Sequence, residues 1–221
     1  MFTRLIESLV GSDGRPSRAP RSPTDLEGKI ALLEAEADVP AADFRAAVLG
    51  RAGDLCLEAR DIPRALSYYG RSVDGYLTAG YYDSAMALCQ KMIEISPGIV
   101  RARCTMAFLL LGADLPFLKS RGVSERVREH LHGYASAARA AGNSDTAIQR
   151  LKMMASVTDV ETIRQLIGDI LFDLGASDDA ADLHYSLFEE RAILPEEEVD
   201  STEQRRRWAE LLRVTIMDQR H

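Results

Sequence analysis

The sequence predicts an all-α protein of about ten helices that run antiparallel to one another. From residue 24 onward, apolar side chains recur at steps of three and four residues, which is the period of an amphipathic helix. No segment alternates apolar and polar residues over the length of a strand between turn signals. The breaks between helical segments are short, and short connections force consecutive helices to lie antiparallel.

Capping boxes and prolines mark the ends of the predicted helices. Thr24 and Thr158 are each followed three residues later by glutamate, and Ser201 is followed at that interval by glutamine, the pattern that starts a helix. Pro63 fits a first helical turn, and Pro97 follows a helix end. The predicted helices cover residues 24–37, 41–59, 63–78, 79–96, 98–111, 125–141, 145–157, 158–174, 178–193 and 201–221, with an irregular connection over 112–123.

Small residues repeat at a fixed interval. The first set is Ala135, Gly142 and Ala147, and the second set is Gly168, Gly175 and Ala180, each 33 residues after its counterpart. Gly53 precedes Ala65 by the same twelve residues that separate the first and last members of each set. Residues 79–98 add an apolar stripe between Gly80 and Pro97. The pattern predicts helix pairs that cross closely at small side chains, with a left-handed glycine at the turn.

This pattern resembles the tetratricopeptide repeat, a helix–turn–helix unit of about 34 residues, over residues 41–193. The resemblance implies a right-handed α-solenoid that ends in a capping helix at residues 201–221. It also implies a groove, lined by the first helix of each pair, that binds peptides or proteins. The chain departs from the family's pattern at residues 112–123, where we expect one irregular join.

The composition fits a cytoplasmic protein of 221 residues, 46% hydrophobic and 28% charged. The longest apolar run, residues 106–111, is too short to span a bilayer, and the N-terminus lacks the features of a signal peptide. Three widely spaced cysteines, Cys56, Cys89 and Cys104, are predicted to be buried as small hydrophobic side chains in a reducing compartment.

Charge is distributed unevenly along the chain. The whole chain carries −7 and residues 1–23 and 201–221 each carry +2, so residues 24–200 carry −11. An acidic body of this kind argues against nucleic acid as the main ligand. The basic run at 205–207 beside Trp208 indicates either a contact with phosphate or acidic protein, or a solvated face whose tryptophan packs on the preceding helix.

The N-terminus divides into two short segments ahead of the repeat domain, which is predicted to span residues 24–200. Residues 1–10 form a short amphipathic segment, and residues 11–23 form a flexible linker rich in Gly, Ser, Pro and Arg. The apolar face of the first segment consists of Phe2, Leu5, Ile6 and Leu9. A free helix this short is marginal in water, so we expect the face to dock on the chain's own body, a second copy, a partner or a membrane surface.

No catalytic, cofactor or metal motif appears in the sequence. His130 and His132 are two residues apart on one helix and point in opposite directions, so they cannot grip one ion. The function predicted is a non-enzymatic adaptor or assembly factor with a protein or peptide partner. The alternatives are a structural subunit of a larger complex and a membrane-surface adaptor, each docked through residues 1–10, and homo-oligomerisation stays open. The predicted groove residues are Asp54, Leu57, Glu58, Glu129, His132, Ser136, Arg139, Thr162, Gln165, Asp169 and Phe172.

Overall fold

A computed structural model describes residues 23–38, 41–121, 125–158 and 160–193, which form nine α-helices and no strand. The helices are α1 (Pro23–Glu36), α2 (Ala42–Glu58), α3 (Ile62–Ala79), α4 (Tyr82–Ile95), α5 (Val100–Arg121), α6 (Glu125–Ala140), α7 (Ser144–Val157), α8 (Glu161–Asp173) and α9 (Ser177–Ile193). The all-α prediction is confirmed. The predicted segments at 1–10 and 201–221 lie outside the described residues, as does the linker except for its last residue.

Four of the turns between helices have the same backbone conformation. A left-handed residue stands at each: Arg60 (φ 61°), Gly80 (φ 80°), Gly142 (φ 72°) and Gly175 (φ 90°). In each turn the N–H of the left-handed residue donates to the carbonyl three residues back, and the next N–H donates to the carbonyl five residues back. This is the Schellman arrangement, which satisfies the last carbonyls of a helix. The left-handed glycines predicted at the turns are confirmed, and Arg60 takes that conformation without being glycine.

The chain divides into two compact units, the first ending at Ser72 and the second beginning at Val73. In the first unit, α1 packs on α2, and the Ser72 hydroxyl donates to the Ala46 carbonyl at 2.5 Å to join α3 to α2. In the second unit, α5 packs on both α4 and α6, α8 packs on both α6 and α7, and α9 packs on α8. Antiparallel helical hairpins are therefore the structural element of both units.

The small residues of the repeat lie at helix contacts. The buried alanines of the pattern are Ala65, Ala85, Ala135, Ala147 and Ala180. A Cβ added at Gly53 would come within 2.6 Å of Tyr69 Cε1, and one added at Gly168 would come within 2.6 Å of His184 Nε2. Each glycine thus admits a ring from the partner helix of its hairpin, as the small-residue pattern predicts.

Helix α5 corrects the prediction of an irregular connection over 112–123. The helix continues without interruption to Arg121, past Gly112 and Pro116, both of which disfavour a helix interior. Its preceding residues, from Cys104 to Leu111, are all buried. Tertiary packing of this kind outweighs the local preference of a few residues, so the helix extends through them.

Two predicted capping boxes are also wrong. Thr24 lies inside α1, because Pro23 takes the first helical position, where its missing N–H costs nothing. Thr158 follows the last residue of α7, and its hydroxyl accepts the N–H of Val160 at 3.2 Å. Val160, rather than Thr158, precedes the first residue of α8 and makes no side-chain cap. A local Ser/Thr turn has therefore replaced the cap that the spacing indicated.

Candidate functional site

Two rows of exposed side chains run along α6 and α8 in the second unit. The α6 row is Glu129, His132, Ser136 and Arg139, and the α8 row is Thr162, Gln165, Asp169 and Phe172. Every α8 residue follows its α6 counterpart by 33 residues, and the two helices contact each other. Equivalent positions of two touching, equivalent hairpins lie on one side, so the rows form a single surface, which we call the α6–α8 face.

The chemistry of the α6–α8 face is mixed. The Arg139 guanidinium donates to the Asp173 carbonyl oxygen and so joins the two helices at one end of the face. Gln165 Nε2 donates to Glu161 Oε1 at 2.8 Å along α8. Phe172 exposes 64% of its surface, so its ring is accessible to an apolar group of a ligand. The face therefore offers both charges, amide and hydroxyl groups and one aromatic anchor.

The remaining predicted groove residues lie on α2, in the first unit. Asp54 and Glu58 are exposed and Leu57 is half-buried. The Tyr69 hydroxyl donates to Asp54 Oδ1 at 2.6 Å, so this carboxylate has an intramolecular partner. These three residues belong to the first unit, and the other eight predicted residues belong to the α6–α8 face of the second unit.

An open cleft of about 470 Å³ lies between α8 and α9. Its lining residues are Asp169, Phe172, Asp173, Ser177, Ala180, Ala181 and His184. His184 Nε2 lies 3.6 Å from Asp169 Oδ1 and stands over Gly168. Of the three α8 residues that line the cleft, Asp169 and Phe172 were predicted as site residues, whereas Asp173 and the α9 wall were not. The sequence does hold a signal for that wall, because His184 follows Ala180 by four residues, as Tyr69 follows Ala65.

The three cysteines are buried thiols, as predicted. Burial raises the pKa of Cys56 and Cys104, and raises that of Cys89 to about 12. Burial also raises the pKa of Tyr134, which is hydrogen-bonded to Cys104. Arg150 Nη1 donates to Cys104 Sγ at 3.8 Å. Because the thiolate is the nucleophile, thiols held protonated in this way are poor candidates for covalent chemistry.

The two histidines of α6 occupy opposite environments. His130 is buried, and burial lowers its pKa, whereas His132 is exposed on the α6–α8 face. Over the residues that the structure describes, no group of three or more His, Cys, Asp or Glu side chains could hold a metal ion. The predicted docking residues Phe2, Leu5, Ile6 and Leu9 lie outside that part of the chain, so their role stays a prediction.

No family model matches the sequence, and no curated protein matches it. Among solved structures, the chain is similar to a tetratricopeptide repeat protein from Parabacteroides merdae ATCC 43184 at 16% identity, over 88% of this chain and 87% of that chain, with a TM-score of 0.23. A TM-score this low does not measure a shared fold.

The described helices agree with the repeat that the sequence predicts. Their left-handed turns, buried alanines and close glycine–ring contacts lie where the resemblance to the tetratricopeptide repeat implies helical hairpins. Handedness and curvature of the array stay predictions. None of the helices in the described ranges is long and apolar enough to cross a membrane.

Proposed function

We propose that the protein is a non-enzymatic, cytoplasmic interaction module that binds a polypeptide segment on the α6–α8 face. The observation that carries this proposal is the pair of equivalent rows on two touching helices, all eight side chains of which are exposed. Because the two rows occupy equivalent positions 33 residues apart in the sequence, they present the same arrangement of side-chain positions to successive parts of an extended ligand.

The size of the face suits a short peptide. Glu129 and Arg139 are ten residues apart on α6, which corresponds to about 15 Å along a helix. An extended peptide rises about 3.3 Å per residue, so four to five residues would fit along that length. Carboxylate, guanidinium, amide and hydroxyl groups can then pair with the peptide's backbone and polar side chains, while Phe172 offers an apolar contact.

The charge of the face also favours a protein ligand over a nucleic acid. Its α6 row contains one glutamate and one arginine, and its α8 row contains one aspartate. Nucleic acid binding requires a clustered basic surface that neutralises phosphates, and the −11 charge of residues 24–200 opposes it. A polypeptide of mixed polarity is the ligand class that this surface fits.

The test compares two glutamines. Gln165 is exposed at the centre of the α8 row, whereas Gln149 is exposed on α7, outside the face. Gln165→Lys places a charge and a longer side chain on the face and keeps a favourable pairing with Glu161 four residues earlier. Gln149→Lys makes the same chemical change elsewhere, so it controls for net charge.

A partner captured by the wild-type chain, and identified by mass spectrometry, would be titrated against both variants by calorimetry. We expect Gln165→Lys to weaken binding about tenfold or more, which corresponds to about 1.4 kcal/mol, and Gln149→Lys to leave the affinity unchanged. Equal affinities for the wild type and Gln165→Lys would mean that the partner binds another surface.

A further inference from the structure

One side of α6 packs against α5, and two contacts show which side this is. The guanidinium of Arg103 on α5 lies over Gly133 of α6, where an added Cβ would collide with its Nη1 atom. The next residue of α6, Tyr134, is hydrogen-bonded to Cys104 of α5. Residues of α6 that lie three or four positions from these two share the same side of the helix.

His130 lies on the side of α6 that faces α5, because it precedes Gly133 by three residues and Tyr134 by four. Its exposed fraction is 8%, and Val127 and Ala137 on the same side are also buried. The Nδ1 atom of His130 is buried and has no hydrogen-bond partner among the residues that the structure describes. A titratable ring is therefore enclosed within a helix contact.

The surroundings of the His130 imidazole oppose a positive charge on it. Burial lowers its pKa, and the guanidinium groups of Arg126 on α6 and Arg103 on α5 lower it further, whereas the Glu129 carboxylate acts in the opposite direction. Since Glu129 is exposed, water weakens its attraction for a charged ring. The neutral imidazole is therefore the form that this helix contact favours.

Helices α7 and α8 also pack on α6, and the one arginine of each contacts another group. Arg150 Nη1 of α7 donates to Cys104 Sγ at 3.8 Å. Arg164 Nη2 of α8 donates to Ser186 Oγ of α9 at 2.9 Å. The charged groups that act on His130 come from α5 and from α6 itself.

We propose that the α5–α6 contact is acid-sensitive, because a proton taken up by the buried His130 ring loosens the packing of α6 on α5. A protonated imidazole donates from both nitrogens, and its Nδ1 proton finds no acceptor among the described groups. A buried cation without a partner is unstable, so the ring becomes hydrated and the two helices separate around it. This inference does not depend on the proposed function, although α6 carries the first row of the α6–α8 face.

The direction of the pH dependence follows from proton linkage. A histidine whose pKa is lower in the folded than in the unfolded chain binds fewer protons when folded, so acid favours opening. The contribution of the neutral ring to stability is fully present above the ordinary histidine pKa of about 6.5. It is lost as the pH falls below that value.

Amide hydrogen exchange of the full chain at pH 8 and at pH 5 tests the proposal, with each rate compared with the intrinsic rate at that pH. We expect the protection of amides in α5 and α6 to fall several-fold at pH 5. The ceiling is about 30-fold, because one proton changes an equilibrium by at most about tenfold per pH unit below 6.5. Amides of α1 and α2, in the first unit, should change little.

His130→Gln and His132→Gln form a matched pair of variants, two residues apart on α6. The first removes the buried ring and keeps a polar side chain, so the fall in protection at pH 5 should disappear. The second removes an exposed ring from the same helix and should leave the fall unchanged. Each variant is compared with itself at the two pH values, so a general loss of stability in His130→Gln does not affect the result.

A nuclear magnetic resonance titration of the His130 Cε1 proton in the wild-type chain is a test that needs no variant. The ring should take up its proton at a lower pH in the folded chain than in the urea-denatured chain. Protonation at the same pH in both states, or at a higher pH in the folded chain, overturns the proposal. So does a fall in protection that is equal in the wild type and His130→Gln, or one that is equal in the helices of both units, because the α5–α6 contact is then not its cause.

Discussion

The α2–α3 hairpin of the first unit and the α8–α9 hairpin of the second use the same three positions differently. In the first hairpin, the Tyr69 ring lies over Gly53 and is fully buried. Its hydroxyl donates a hydrogen bond to Asp54 Oδ1 at 2.6 Å. In the second, His184 stands over Gly168 with its Nε2 3.6 Å from Asp169 Oδ1.

Both hairpins therefore pair a ring with the carboxylate that follows the glycine. They differ in burial, because Tyr69 is fully buried whereas His184 borders an open cleft. A repeat position thus specifies where a side chain points, while the elements that pack over it decide how much free energy it contributes to stability.

The largest expected difference between the two hairpins is the loss of stability when the ring of Tyr69 or of His184 is removed. Tyr69→Ala should cost about 3–5 kcal/mol, because it leaves a cavity in a closed core and removes the hydrogen bond to Asp54. His184→Ala should cost less than about 1 kcal/mol, because its side chain is 41% exposed. Urea denaturation followed by circular dichroism measures both. Similar losses for the two variants would show that the cleft is as well packed as the first hairpin.

Substitutions of Gly53 and Gly168, the glycines beneath the two rings, should also have different effects on stability in the two hairpins. Gly53→Ala should cost about 1–3 kcal/mol, because its Cβ would lie 2.6 Å from a ring that has no free space to move into. Gly168→Ala should be nearly neutral, because His184 can turn toward the cleft and alanine favours the helix by about 0.5–1 kcal/mol.

Gly28→Ala is the matched control for this pair, since a Cβ at this α1 position meets nothing within 4 Å. It should stabilise the first unit by the helix preference alone. A loss at Gly168 as large as that at Gly53 would mean that His184 is fixed in place.

The sequence predicted the hairpins well because each depends on a local requirement. Gly80, Gly142 and Gly175 adopt positive φ angles, and only glycine does so without cost. The alanines at the helix crossings are predictable because only a small side chain fits where two helices approach closely. These signals lie within one hairpin, so no knowledge of the rest of the chain is needed.

The failures arise where distant residues decide the outcome. Pro116 and Gly112 indicate a break, yet α5 continues through them because the residues before them are buried by other helices. The eight residues of the α6–α8 face were predicted from the repeat register, whereas the cleft depends on how α9 packs on α8. Both features depend on tertiary packing between distant residues, which the spacing of residues within one helix does not reveal.

The left-handed position of the turn holds a different residue in each of the two compared hairpins, and changing that residue gives the smallest expected effect on stability. The α2–α3 turn places Arg60 at φ 61°, where the α8–α9 turn has Gly175 at φ 90°. A non-glycine residue in this region costs about 1–2 kcal/mol, while glycine loses about 0.5–1 kcal/mol more backbone entropy on folding. Arg60→Gly should therefore stabilise the first unit, and Gly175→Ala should destabilise the second unit, each by up to about 1 kcal/mol.

Arg60→Ala distinguishes the effect of the backbone conformation on stability from that of the side chain, because it removes the guanidinium but keeps the cost of the positive φ. Denaturant midpoints of the three variants decide between the two causes. If Arg60→Gly and Arg60→Ala shift the midpoint equally, the side chain and not the turn conformation is responsible. A gain confined to Arg60→Gly would show that the α2–α3 turn tolerates strain that the α8–α9 turn avoids by using glycine.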